Sequence, residues 1–126
     1  MRASFHVDGL SHGGQPIPNA TRVGDIVVSG GIGGRSRTTG EMPEALADEV
    51  ANCFANLEAV AEAAGISTED IAKVTVYAVD RSVREHLNEH WLRLFPDEHS
   101  RPARHTLVQQ LSGMRVQLEF LAVAQG

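Results

Sequence analysis

Residues 101–124 read RPARHTLVQQLSGMRVQLEFLAVA, which is two strand-like runs on either side of a turn signal. Pro102 has no backbone N–H to donate and restricts Arg101 to extended conformations, so a strand is expected to begin just after Pro102. Alternation continues to Val108, Ser112-Gly113 marks a turn, and a second alternating run extends from Arg115 to Ala124. The sequence therefore predicts that the last two strands form a hairpin.

The hairpin predicts which side chains of the two strands meet. With the tip at residues 112–113, Thr106 faces Glu119 and Arg104 faces Leu121 on the neighbouring strand. Because alternate residues share a face, Arg104 and Glu119 become diagonal neighbours on one face, roughly 7–8 Å apart at the backbone. A four-residue loop keeps this pairing, whereas a three- or five-residue loop breaks it.

Glu119 is a carboxylate on a partly apolar face. Leu121 and Val123 follow it on the same face, and a carboxylate in such surroundings is rarely buried without a partner. One interpretation is a structural ion pair between Arg104 and Glu119, and the other is a pair of functional residues. His105 points to the opposite face by alternation, where packing against a helix is expected.

The composition is that of a globular chain. Its 126 residues predict a single domain, residues 1–126, with one core. The net charge of −5 disfavours nucleic-acid binding, and a single cysteine excludes an intramolecular disulfide. Cys53 lies in an apolar helix pattern, which predicts a buried, inert thiol. No apolar signal segment or membrane-spanning run occurs, so a cytoplasmic location without membrane association is expected.

The order of strand and helix patterns predicts an α+β fold. Further strands are expected at residues 4–8, 20–23, 26–30 and 71–79. A first helix should start near Pro43 and stop at Gly65, and a second should open with a capping box of Ser82 and Glu85. The order β-β-β-α-β-α-β-β predicts a single mixed sheet with both helices on one face. The strands flanking the first helix should form a right-handed parallel crossover.

The opposite face of this sheet is left uncovered. Leu107, Leu121 and Val123 add apolar surface there, so other subunits are expected to cover it. Gly30–Gly34 lacks the spacing of a nucleotide-binding loop, and its glycines are expected to allow a backbone to approach a ligand or a neighbouring chain. His86 and His90 are one helical turn apart, but a solvated helix face is preferred over a metal site there.

The C-terminal residues resemble a known signature. Pro102-Ala103-Arg104, followed fifteen residues after the arginine by Glu119 within Val116–Val123, resembles the end of RidA/YjgF proteins, a family of reactive-intermediate deaminases. The resemblance covers nearly the whole chain. It includes Val28-Ser29-Gly30, the helix end from Asn56-Leu57 to Ala64-Gly65, the strand Lys73–Val76 and Leu87-Asn88.

The resemblance implies a fold like that of chorismate mutase and a homotrimer with sites between subunits. It also implies that Arg104 clamps a substrate carboxylate and that Glu119 positions or activates the hydrolytic water. A planar guanidinium matches a carboxylate bidentately, and a bound imine is already electrophilic, so no cofactor is required. Thr106 stands where the archetype has cysteine, and Asn88 matches a family asparagine on the second helix.

The remaining candidate site residues come from the N-terminal half. The segment around Gly31 and Ile32 matches the site-lining loop of the family, although glutamine is usual at Gly31 and proline at Gly33. Ile17 replaces the site tyrosine of the archetype, and serine is usual at His105. An apolar Ile17 wall favours substrates with hydrophobic side chains over small polar ones.

Three functions are compatible with these residues. The first is hydrolytic deamination of 2-imino or 2-enamino acids to 2-keto acids and ammonia, with an aminomuconate-deaminase-like activity as a variant. The second is a non-catalytic trimer that binds small carboxylates. The third is cleavage or binding of RNA, an activity attached to some family members. The acidic charge, the single Trp and the single Tyr disfavour it.

Overall fold

A computed structural model of the chain describes residues 1–125, and within them it contains six strands and two α-helices. In chain order they are β1 (Arg2–Phe5), β2 (Ala20–Val23), β3 (Ile26–Ser29), α1 (Leu46–Ala63), β4 (Ile71–Ala78), α2 (Val83–Leu94), β5 (Ala103–Val108) and β6 (Val116–Val123). A short 3₁₀ helix, Thr68–Asp70, precedes β4. The predicted order of elements is confirmed, although β1 lies earlier in the chain than expected.

One mixed sheet contains the six strands in the order β1-β2-β3-β6-β4-β5. β6 lies between β3 and β4 and is antiparallel to both, whereas β5 is an edge strand parallel to β4. The predicted hairpin of β5 and β6 is therefore wrong, because β4 separates these two strands. β3 and β4 are parallel as expected, but they are not neighbours, because β6 lies between them.

The apolar content of β6 explains its central position. Its inward side chains are at most 3% exposed: Val116, Leu118, Phe120 and Ala122. Neighbours on both edges and a helix layer above remove this surface from water, which an edge position would not do. β5 carries Arg104, His105 and Thr106, polar side chains that suit an exposed edge. The chain reaches β6 by crossing the end of β4, where Gln109 N donates to Ala78 O.

Both helices cover the same face of the sheet. The sulfur of Cys53 on α1 lies 3.9 Å from the carbonyl oxygen of Val116 on β6, and Trp91 on α2 lies against Arg104 on β5. Cys53 is buried as predicted, and this burial raises the pKa of its thiol, so the thiol stays protonated. After α1 the chain turns at Gly65, whose φ of 75° is in the left-handed region that favours glycine.

The predicted capping box at the start of α2 is wrong. The hydroxyl and the backbone N–H of Ser82 both donate to the carboxylate of Asp80, and these bonds lower the pKa of Asp80. A capping box forms instead between Ser67 and Asp70 at the 3₁₀ helix. Both segments have serine followed by an acid three residues later. Ser82 does not form a capping box because it hydrogen-bonds to the nearby Asp80 instead.

An ion pair joins α1 to the segment that enters β6. The carboxylate of Glu49 is completely buried and accepts hydrogen bonds from Arg115 Nε at 2.6 Å and Arg115 N at 2.8 Å. Arg115 Nη2 also donates to Pro43 O at 3.0 Å. A Cβ at Gly34 would collide with the backbone of Glu49, so only glycine fits there. We call Glu49 and Arg115 the α1–β6 anchor.

The sheet face opposite the helices carries exposed apolar side chains, as the sequence predicts. The following are 37–53% exposed: Val23, Ile26, Val28, Leu107, Leu121 and Val123. We call this surface the open face. No helix within residues 1–125 is both long and apolar enough to cross a membrane.

Candidate functional site

Arg104 lies on the edge strand β5 with its side chain under α2. It is in register with the buried Val74 of β4, and adjacent residues in register share a face, so Arg104 is on the helix side of the sheet. Its guanidinium carbon is 4.9 Å from the centroid of the Trp91 ring, within cation–π range. Its Nη1 is buried and has no hydrogen-bond partner within residues 1–125.

The charge on Arg104 is not compensated within the described chain. The four salt bridges among residues 1–125 do not involve this side chain. Burial lowers the pKa of Arg104, and the positive charge of Arg84 lowers it further. A guanidinium still stays protonated at neutral pH, so this is a partly desolvated cation with a free donor. An anion placed here would satisfy both the charge and the donor.

Two other predicted site residues lie on the strand and the helix that flank the Arg104 side chain. Thr106 is two residues further along β5 on the same face, in register with Val76. Asn88 is on α2, one turn before Trp91 and one turn after Arg84, so the three α2 residues share one side of the helix. We call the space bordered by Arg84, Asn88, Trp91, Arg104 and Thr106 the α2–β5 groove.

Glu119 does not lie in this groove. Glu119 is in register with Thr75 of β4, and Thr75 is in register with His105 of β5. All three residues belong to the open face. Arg104 and Glu119 are therefore on opposite faces, so the predicted shared face and the predicted ion pair between them are both wrong. The prediction that His105 packs against a helix is also wrong, because His105 is exposed on the open face.

The partner of Glu119 is Tyr77. The Tyr77 hydroxyl donates to Glu119 Oε1 at 2.7 Å. This hydrogen bond raises the pKa of Tyr77, and burial and the negative charge of Glu119 add to the effect. The sequence places Tyr77 on the same face of β4 as Thr75, but pairing it with Glu119 requires knowing that β4 and β6 are neighbours.

Gly31 and Ile32 extend β3 alongside β6. Ile32 and Leu118 exchange backbone hydrogen bonds of 2.7 and 2.8 Å, and a Cβ at Gly31 would collide with the amide of Gln117. Both residues line a cavity of about 320 Å3, which is also lined by His12, Asn19, Arg35, Asn56 and Gln117. This cavity lies between the N-terminal loop and α1.

Ile17 is 50% exposed in the loop before β2. Three strands, β3, β6 and β4, separate β2 from β5 in the sheet, so Ile17 is remote from Arg104 within one chain. The single chain thus divides the predicted site residues among the groove, the open face and the N-terminal side of the sheet. Within residues 1–125 no three or more His, Cys, Asp or Glu side chains converge as metal ligands would.

Most of the chain is similar to one known protein family. Residues 16–125 match the family model described as Endoribonuclease L-PSP. The chain belongs to this family, which is the RidA/YjgF family. The match covers the groove, the open face and the Gly31 loop, and it confirms the predicted family and fold.

Named relatives cover most of the chain. A RutC family protein of Aquifex aeolicus is 36% identical over 111 residues, which are 86% of this chain and 88% of that protein. A 2-iminobutanoate/2-iminopropanoate deaminase of Dermatophagoides farinae is 31% identical over 113 residues, 87% of each chain. The crystal structure of Escherichia coli TdcF with bound serine has a TM-score of 0.86 at 24% identity and covers 98% of this chain and 99% of TdcF. That likeness shows the fold.

Proposed function

We propose that this protein hydrolyses 2-imino acids, or their 2-enamino tautomers, to 2-keto acids and ammonia. The observation that carries the proposal is the guanidinium of Arg104, which lies against Trp91 and has a buried Nη1 without a hydrogen-bond partner within residues 1–125. A carboxylate is the small anion whose geometry a guanidinium matches with two parallel hydrogen bonds. The relative from D. farinae, named as an imine deaminase, supports the reaction class.

Binding by Arg104 would orient the reacting carbon. The stacked Trp91 ring limits rotation of the guanidinium plane, so a carboxylate bound to it has a defined direction. The imine carbon next to that carboxylate is already electrophilic. Thr106 and Asn88 border the same groove, and their hydroxyl and amide can hydrogen-bond the imine or the water.

Glu119 would supply the water. Its carboxylate is held by Tyr77, which leaves acceptor positions free for a water O–H. The water oxygen forms a bond to C2 as the C=N π bond breaks and a proton of the water passes to the nitrogen, which gives a carbinolamine. The hydroxyl proton of the carbinolamine then moves to the nitrogen as the C–N bond breaks and the C=O bond forms, which releases ammonia and the keto acid. The net reaction involves no oxidation or reduction, so it requires no redox cofactor.

The proposed reaction requires an oligomer, because Arg104 and Glu119 lie on opposite faces of the sheet within one chain. A substrate held by Arg104 at the sheet edge can meet a Glu119 carboxylate only if another copy presents its open face there. The exposed apolar side chains of the open face favour such packing. We infer a homotrimer with sites between subunits, as the family resemblance implies.

The activity is tested by generating imines with an amino-acid oxidase in the presence of semicarbazide. A deaminase competes with semicarbazide for the imine, so semicarbazone formation should fall as protein is added. The same free guanidinium would also serve a protein that only binds carboxylates. Binding of 2-keto acids without any fall in semicarbazone formation would favour this second function over the first.

A further inference from the structure

A second cationic end of the α2–β5 groove is formed by arginines that the proposed chemistry does not use. Arg81 and Arg84, at the start of α2, line a pocket of about 110 Å3 together with Thr106 of β5. The floor of this pocket is apolar, with Val76, Ala78, Val83 and Leu87 among its lining residues. The pocket thus continues the groove beyond Thr106, away from Arg104.

The positive charge at this end is uncompensated within residues 1–125. Neither Arg81 nor Arg84 takes part in the salt bridges of the described chain. Among the described residues one carboxylate lines the pocket, that of Asp80, and it accepts hydrogen bonds from both the hydroxyl and the backbone N–H of Ser82. The guanidiniums of Arg81 and Arg84 therefore border a pocket with an apolar floor, and the carboxylate of Asp80 in that pocket is already hydrogen-bonded to Ser82.

The two cationic ends are separated by a short, defined distance. Arg104 and Thr106 are two residues apart on one strand face, about 7 Å along the strand. Arg84 borders the pocket at Thr106, whereas Trp91, seven residues later on α2, stacks on Arg104. Arg84 is close enough to Arg104 for its charge to influence the Arg104 guanidinium. The groove thus offers two anion-binding positions joined by an apolar floor.

We propose that Arg84 binds a second anionic group of the substrate, so that dicarboxylic 2-imino acids are preferred over monocarboxylic ones of equal length. The inference rests on the proposed function, because it takes Arg104 as the site of the first carboxylate. The methylene groups between the two carboxylates would lie over the apolar floor. A substrate of this class is the imine of glutamate, whose monocarboxylic counterpart of equal carbon number is the imine of norvaline.

Binding is tested first, by calorimetry with two stable keto acids of five carbons. The intact protein should bind 2-oxoglutarate at least about tenfold more tightly than 2-oxopentanoate, the effect of one hydrogen bond between charged groups. Arg84→Gln should weaken the binding of 2-oxoglutarate by about tenfold and that of 2-oxopentanoate much less, because the variant keeps the Arg104 clamp. Arg84→Lys should retain part of the preference through its charge.

Arg37→Gln is the matched control. It makes the same change in charge at an exposed loop position outside the groove, so it should leave both affinities unchanged. The inference is overturned if the intact protein does not prefer 2-oxoglutarate, or if Arg84→Gln lowers the affinities for both keto acids equally. A lower oligomer mass of Arg84→Gln in light scattering would also overturn it, because Arg84 would then pair with a carboxylate of another subunit.

Turnover separates this inference from the deaminase proposal. The imines of glutamate and norvaline are generated by matching oxidases, and kcat/KM is compared for the intact protein and Arg84→Gln. Turnover of both imines with a ratio that Arg84→Gln leaves unchanged would contradict the role of Arg84 and support the deaminase. Absence of turnover, together with an Arg84-dependent preference for 2-oxoglutarate, would contradict the deaminase and support the role of Arg84.

Discussion

Two arginines near the C-terminal end of the chain have contrasting surroundings. Arg115, in the α1–β6 anchor, donates to the buried carboxylate of Glu49 and to Pro43 O. Arg104, in the α2–β5 groove, stacks on Trp91 and keeps a buried Nη1 without a partner in the described chain. Each arginine lies where a helix meets the sheet, yet of the two only Arg115 has a counter-ion among the described residues.

The difference separates a residue that holds the fold from one available to a ligand. A buried carboxylate requires its cation, so removal of Arg115 would leave Glu49 uncompensated. A half-buried cation without an anion gains by binding one from solution. The comparison therefore predicts that Arg115 variants lose stability and Arg104 variants lose activity.

The largest effect is expected for Arg115→Ala. Glu49 would keep a buried negative charge, and among residues 1–125 the backbone N–H of residue 115 would be its one remaining donor. We expect the free energy of unfolding to fall by about 3 kcal/mol, the range for breaking a buried ion pair. Urea denaturation followed by circular dichroism measures this. Arg93→Ala is the control, because its pair with Glu58 is exposed and should contribute less than about 1 kcal/mol.

The next largest effect is expected for Arg104→Lys. Lysine keeps the charge but lacks the planar fork, so we expect kcat/KM on carboxylate-bearing imines to fall by about 100-fold. The urea midpoint should stay close to that of the intact protein. Full turnover would exclude the clamp. Unfolding of this variant would instead show that Arg104, like Arg115, stabilises the fold, which contradicts the contrast drawn between the two arginines.

Mixing two inactive variants tests where Arg104 meets Glu119. If each site combines Arg104 of one subunit with Glu119 of another, trimers that contain both Arg104→Lys and Glu119→Gln subunits include some intact sites. Random assembly from equal amounts should restore about a quarter of the original activity. Light scattering should give a trimer mass at all concentrations tested. A monomer mass, or no restored activity in refolded mixtures, would contradict sites between subunits.

The smallest effect is expected for Ile17→Tyr. If a neighbouring subunit brings its Ile17 to the groove, a phenol there restores one hydrogen bond of roughly 1 kcal/mol. The ratio of kcat/KM for the serine-derived imine over the leucine-derived imine should then rise by up to about tenfold. The intact protein should favour the leucine-derived imine. An unchanged ratio would place Ile17 outside the pocket.

Local patterns predicted the elements but not their lateral order. The 18-residue α1 and the 8-residue β6 have clear periodicities, and their boundaries lie within a few residues of those expected. Ser112-Gly113 suggested a hairpin because a turn between two alternating runs normally joins neighbours. β6 instead lies between β3 and β4 in the interior of the sheet, and the chain crosses the end of β4 to place it there.

The candidate site shows the same division. The structure places Arg104 and Thr106 on one face of β5 and Asn88 between Arg84 and Trp91 on α2, and the roles predicted for these residues stay predictions. The contact of Trp91 with Arg104 was missed, because the spacing of Trp91 on α2 indicates only that it belongs to the apolar side of that helix. Arg84 was also missed, since an exposed arginine in the first turn of a helix has no distinguishing pattern of its own.

The sequence by itself determined the order of strands and helices along the chain. It also determined which side chains of a strand share a face, and the family to which the protein belongs. These depend on local backbone geometry and on motifs read along the chain. Only the tertiary structure decided that β4 separates β5 from β6, and hence that Arg104 and Glu119 lie on opposite faces. The physical reason is that strands distant in sequence compete for the same hydrogen-bonding edges. Total burial of apolar surface, not local pattern, selects between them.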